Sequence, residues 1–160
     1  MRLAIVAVGR LKDGPERALY LTYAKRVDET GRALALGPLS LAELPEGRAA
    51  GTGQRRTDEA QRLLERAGDS SVLVALDEGG KALSSEAFAR WLAERRDGGE
   101  RSVAFLIGGP DGHGDDVLKK AALTLSLGPM TLPHGLARIL LAEQLYRAQT
   151  ILAGHPYHRA

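Results

Sequence analysis

Apolar residues in this chain fall into short, nearly unbroken runs, separated by stretches where they recur every three or four positions. Residues 2–8, Arg-Leu-Ala-Ile-Val-Ala-Val, form one such run, and residues 72–76, 102–107 and 123–127 form three more. Runs of this length without polar alternation predict strands buried on both faces. Residues 33–36 read as a further strand. Pro15 suits a first helical position, and Leu19, Tyr23 and Val27 repeat at four-residue spacing, with Gly31 as the expected stop. Helices are also predicted over 57–67, from Ser84 or Ser85 as N-cap to Asp97, from about Asp115, and from Pro133 to about Leu152. Residues 37–53 carry two prolines, repeated glycines and no strong period, which predicts a long mobile loop. Strands alternating with helices predict an α/β fold: a single domain over 1–160, with a parallel sheet and helices on both faces.

The last helix is apolar over more than one face. Leu141, Leu145, Ala148 and Leu152 form one stripe, while Leu136, Ile139 and Leu140 form a second group turned away from it. The first stripe fits the sheet. The second also calls for burial, either in a homodimer or within the same monomer.

Composition narrows the class. The chain has 160 residues, no cysteine and 44% hydrophobic residues, so neither a disulfide framework nor a cysteine-ligated zinc is expected. No charged-then-apolar leader precedes the first strand, and no apolar run approaches a membrane span, which makes a soluble cytoplasmic protein the expectation. Net charge is only +2. Its distribution is uneven: residues 117–160 hold five bases (Lys119, Lys120, Arg138, Arg147, Arg159) against one acid, Glu143, and three of the four histidines. Such an end fits an anionic partner or a chance asymmetry of a solvated surface.

The candidate chemistry gathers in the same part. Strand 102–107 runs into a loop with glycines at 108, 109, 112 and 114, and Leu123–Leu127 runs into a second loop before the last helix. Glycine-rich strand-to-helix turns bring backbone amides close to a ligand. Neither GxGxxG nor the P-loop pattern is present, and GxSxG and HExxH are absent as well, so no metal is expected.

Five segments in combination closely resemble one family: Leu-Ile-Gly-Gly-Pro-Asp-Gly (106–112), Leu-Thr-Leu-Ser-Leu (123–127), Met-Thr-Leu-Pro-His (130–134), Arg-Ile-Leu-Leu-Ala-Glu-Gln-Leu-Tyr-Arg-Ala (138–148) and His-Pro-Tyr-His (155–158). With Ala-Val-Gly (7–9) and Ala-Leu-Asp (75–77), they resemble the RlmH (YbeA-like) family. These are SPOUT-class methyltransferases of pseudouridine N3 in 23S ribosomal RNA. The resemblance implies a C-terminal trefoil knot, a homodimer, and S-adenosylmethionine as cofactor, with S-adenosylhomocysteine as product. It places the cofactor at Leu76, Gly108, Gly109, Leu127, Gly128, Pro129, Met130, Thr131 and Leu132, held by backbone groups and apolar packing. Pro129 has no amide to donate, and His113-Gly114 is expected to make the first loop more flexible than average.

On that resemblance, the N3–H of pseudouridine must lose its proton as the methyl arrives, which calls for a base or an anion-stabilising cation. His158, Tyr157 and Arg159 are the leading catalytic candidates, with His134 and Arg138 next. Glu143 reads as a structural partner for Arg138 or Arg147. Lys119, Lys120, Arg147 and His155, together with a partner subunit, are the expected surface for the ribosome and its 23S rRNA. Two other readings stand beside this one: a SPOUT enzyme acting on a different RNA position, and a non-catalytic ribosome-binding protein.

Overall fold

The computed structural model describes residues 1–69 and 71–158. The elements alternate as β1 (Arg2–Val8), α1 (Pro15–Leu34), β2 (Leu39–Leu44), α2 (Thr52–Ala67), β3 (Val72–Ala82), α3 (Ser85–Asp97), β4 (Ser102–Ile107), α4 (Asp115–Lys120), β5 (Leu123–Ser126) and α5 (His134–Leu152). The strands form one sheet in the order β2-β1-β4-β3-β5, and every neighbouring pair is parallel. All six residues of the central β4 are buried, which is what an unbroken apolar run encodes.

The period of two along each strand sorts the core into two layers. Leu3, Ile5, Val103 and Phe105 pack under α1, α3 and α5, while Val6, Val8, Ala104 and Leu106 pack under α2 and α4. Crossovers through α1 and α3 carry the chain one way along the sheet, and those through α2 and α4 carry it the other way. A uniform crossover hand requires this alternation. Since all strands are parallel, their C-terminal ends open at one edge.

Three expectations need correction. Residues 33–36 are not a strand: α1 runs on to Leu34, and Ala35 caps it in the left-handed region. Gly31 does not stop this helix. A Cβ there would stand 2.6 Å from Gln149 Nε2 and would overlap the Leu36 carbonyl, so glycine serves close packing. Segment 37–53 is not a continuous loop either, because Leu39–Leu44 pairs with β1 as an edge strand. Its alternation, Leu-Ser-Leu-Ala-Glu-Leu, is bracketed by Pro38 and Pro45, which an edge position tolerates. Finally, α2 begins at Thr52, five residues before the expected Thr57.

Beyond Leu76, β3 breaks register with β5. Leu76 and Lys81 both lie opposite Leu125, so residues 77–80 bulge out at the open edge. Gly80 makes the bulge possible, since a Cβ would stand 2.7 Å from the Thr124 carbonyl oxygen.

Helix α5 lies beside α1 in the same direction, with Gly135 against Glu16 and Gln149 against Gly31. Leu141, Leu145 and Ala148 are fully buried, as the first stripe predicts. Of the second group Ile139 is also buried, whereas Leu136 and Leu140 remain about two-fifths exposed, at 40% and 42%. No helix among the described residues is long and apolar enough to cross a membrane.

Candidate active site

A cavity of about 890 Å³ lies where the C-terminal ends of β3, β4 and β5 meet the loops after β4 and β5. Leu76, Ile107 and Leu125 give it an apolar floor, and its walls are the two loops 108–113 and 127–133. This is the crevice in which open parallel sheets bind ligands.

The first loop is held from several sides. Arg55 on α2 grips Asp111 with two donors, Nε at 2.7 Å and Nη2 at 3.3 Å, while its Nη1 donates to the carbonyls of Ala49 and Ala50. The Arg55 guanidinium holds the Asp111 carboxyl below its usual range. The neighbouring Arg56 donates to the His113 carbonyl at 2.9 Å. His113 itself is buried, and its Nε2 lies 3.0 Å from the Leu76 carbonyl. A carbonyl only accepts, so Nε2 carries the proton. Burial pushes the His113 pKa below its ordinary value, leaving a neutral ring that ties this loop to the end of β3. These ties hold the loop in which His113-Gly114 was expected to add flexibility.

Two glycines in this loop are fixed by contacts. A Cβ on Gly109 would stand 2.8 Å from Glu59 Oε2 and 3.1 Å from Val8, and one on Gly114 would stand 2.8 Å from the Arg56 carbonyl oxygen. Buried Glu59 accepts from the Gly47 amide at 2.7 Å, so α2 fills the space behind the loop.

The second loop has fewer ties. Ser126 Oγ accepts from the Gly128 amide at 3.1 Å, and Thr131 Oγ1 donates to Glu78 Oε2 at 2.7 Å across the cavity mouth. Met130 is 79% exposed. At the end of this loop His134 begins α5, lining the cavity. Behind it Arg138 is wholly buried, paired at 2.7 Å with Glu43 on β2.

The family profile described as "Predicted SPOUT methyltransferase" matches residues 1–158. The chain belongs to the SPOUT methyltransferase family. "Ribosomal RNA large subunit methyltransferase H" of Brucella anthropi is 50% identical over 160 residues, covering the whole of both chains. The protein of the same description from Bradyrhizobium diazoefficiens is 51% identical over the same span. Among solved structures, a probable methylase family protein from Haemophilus influenzae shares the fold, with a TM-score of 0.52 at 14% identity, over 99% of this chain and 70% of that one.

Within this SPOUT chain, Leu76, Gly108, Gly109, Leu127, Gly128, Met130, Thr131 and Leu132 all line the cavity, whereas Pro129 does not. The tail lies elsewhere. Tyr157 packs at a 58° tilt against Tyr146, 4.6 Å between ring centroids, and donates to Glu143 Oε1 at 3.2 Å, under the Arg147 guanidinium. Burial pushes its phenol up to about 12, so it stays protonated near neutrality. Beyond α5 (His134–Leu152) the tail folds back along the helix, so Tyr157 meets Glu143 and Tyr146, about 14 and 18 Å along the axis from His134, and neither Tyr157 nor His158 lines the cavity. Arg159 lies outside the described residues. Arg138 pairs with Glu43, and Glu143 pairs with Arg147 at 2.6 Å.

The basic residues do not form one patch. Lys119 and Lys120 are exposed on α4, while Arg147 and His155 sit at the end of α5, across the sheet. Sequence reasoning passed over Arg55, Arg56, Glu43, Glu59 and Glu78. Arg55 and Asp111 are 56 positions apart, as Arg138 and Glu43 are 95, so no local spacing could have paired them.

Proposed function

We propose that this protein transfers a methyl group from S-adenosylmethionine to N3 of a pseudouridine in 23S ribosomal RNA of the large ribosomal subunit, releasing S-adenosylhomocysteine. The observation that carries this reading is the cavity itself. Loops that are distant in sequence, each matching the methyltransferase family, face one another across a single space large enough for a nucleoside-sized cofactor. The full-length relatives described as rRNA large subunit methyltransferase H support the substrate class.

The residues present suit that cofactor. Gly108 and Gly109 admit close backbone approach, Leu76, Ile107, Leu125 and Leu127 offer an apolar surface for a purine, and the charged residues lining the cavity are Arg56, Asp77, Glu78 and Asp111. Bound S-adenosylmethionine supplies an electrophilic methyl on a sulfonium. The protein's task is to hold the imide nitrogen in line with it, exclude water and stabilise the charge left on the base.

The working unit is a homodimer. The exposed pair Leu136 and Leu140 lies at the cavity end of α5, and the tail packs back on the middle of the same helix through Tyr157, Tyr146 and Glu143. Two α5 helices packed antiparallel about a two-fold axis would cover the apolar pair and bring Tyr157 and His158 of one protomer to the cavity of the other. Lys119 and Lys120 of one subunit with Arg147 and His155 of its partner would then frame a surface for RNA. The trefoil knot and a cytoplasmic location belong to the same reading.

The deciding test is methyl transfer from labelled S-adenosylmethionine to ribosomes containing or lacking pseudouridine. Transfer that ignores pseudouridine overturns the substrate assignment, and absence of cofactor binding in calorimetry overturns the enzyme.

A further inference from the structure

His134 is gripped from behind by a guanidinium. Arg138, one turn further along α5, donates from Nη2 to His134 Nδ1 at 3.0 Å and from Nε to the His134 carbonyl at 3.2 Å. Its Nη1 donates to Glu43 Oε1 at 2.7 Å, and Nη2 also reaches the Gly9 carbonyl at 3.3 Å. Glu43 is fixed in turn, since Oε1 accepts the Leu11 amide at 2.7 Å. The other titratable groups packed around Arg138 are Tyr20 and Glu16 on α1; burial pushes the Tyr20 phenol up to about 12 and keeps it neutral.

A guanidinium has donors and no acceptor, so His134 Nδ1 must accept and the proton of the neutral ring sits on Nε2. The ring also packs flat on Gly9, where a Cβ would stand 2.7 Å from Cε1. It lines the cavity, and Nε2 has no hydrogen-bond partner among the described residues.

We propose that Arg138 locks His134 into the Nε2–H form, so that His134 acts as a neutral hydrogen-bond donor to a carbonyl oxygen of the base being methylated and not as its proton acceptor. This assignment rests on the methyltransferase reading above. As the N3–H bond breaks, its proton passes to solvent, and the negative charge spreads onto the two carbonyl oxygens beside N3. The N3 lone pair bonds the methyl carbon while the carbon–sulfur bond breaks with its electrons left on sulfur. A fixed donor facing one carbonyl gains strength as that charge develops. Arg138 is the positioning residue, acting only through His134.

Two measurements test this. Nitrogen NMR of the His134 ring in the full chain, without RNA, should show Nδ1 bare and Nε2 protonated near neutral pH; the opposite tautomer or an imidazolium overturns the proposal. In the second, His134→Gln keeps an N–H close to the Nε2 position but accepts no proton, whereas His134→Leu offers neither. Compared at saturating cofactor, with binding by each variant verified by calorimetry, the Leu variant should lose about a hundredfold in kcat, and the Gln variant should recover most of that loss. Equal inactivity of two folded, cofactor-binding variants makes His134 a proton acceptor and overturns the proposal. A wild-type chain that binds the cofactor yet methylates no pseudouridine refutes the substrate reading instead, while the NMR result still decides what Arg138 does to His134.

Discussion

The two walls of the cavity are built in opposite ways. Loop 108–114 is bound to α2 through Arg55–Asp111 and Arg56–His113, to β3 through His113–Leu76, and is backed by Glu59. Loop 127–133 is secured mainly by Ser126 at its start and Thr131–Glu78 near its middle, and it projects Met130 into solvent. One wall is a pre-organised surface that needs no ordering when a ligand arrives. The other can open at the cost of a few hydrogen bonds, of which Thr131–Glu78 is exposed. A site that must admit a cofactor and then receive a large RNA is served by this division, because rigidity lowers the ordering cost of binding and a loose wall allows entry.

The sharpest way to break this contrast is to fill the space behind the rigid wall. Gly109→Val should destabilise the fold by about 1–3 kcal/mol through overpacking against Glu59 and Val8, and abolish cofactor binding in calorimetry. Gly128→Ala in the loose wall meets no atom within 4 Å, and only its φ of +129° resists the change. Its cost should be about 1 kcal/mol of backbone strain, with weakened but measurable binding. Equal loss in both variants would contradict the asymmetry.

A smaller effect comes from His113. The native protein resists a proton that the unfolded chain accepts, because burial lowers the His113 pKa. Its stabilising contribution is therefore complete above the unfolded value of about 6.5 and is lost as pH falls below it, with a slope of at most about 1.4 kcal/mol per pH unit. Denaturant titrations at pH 5 and 7 should show this loss, and His113→Leu should reduce it.

Asp111→Asn, which removes the charge gripped by Arg55, should weaken cofactor affinity severalfold while leaving the sheet intact by circular dichroism. The smallest change belongs to the loose wall. Thr131→Val deletes one exposed hydrogen bond, worth about 0.5 kcal/mol, and should speed cofactor release about twofold in stopped flow. A larger effect for Thr131→Val than for Asp111→Asn would reverse the assignment of the two walls.

The legible parts of the fold were those written locally. β1, β3, β4 and β5 announced themselves as apolar runs because both faces of the sheet are covered, and Ser84 announced α3 as a cap, where its side chain accepts from the Ala87 amide at 3.1 Å. β2 was hidden because an edge strand between two prolines resembles a loop. Ala-Leu-Ala-Leu at 33–36 misled because its alternation suits a strand while its residues are good helix formers, and packing against α5 decided for the helix. In the site, the glycines were visible, but what they were for was not. Gly109 is glycine because Glu59, fifty residues earlier, occupies the place of a side chain.

By itself, then, the sequence determined an alternating α/β chain, its central strands, its glycine loops and its family, since each depends on neighbouring residues or on motifs kept in order. Tertiary structure alone decided which loop is rigid, that Arg138 answers to Glu43 and not to Glu143, and that the histidine-bearing tail folds back on the middle of α5 and does not line the cavity of its own protomer. Those outcomes depend on contacts between residues that only folding brings together, where burial and pairing, not local propensity, set the energy.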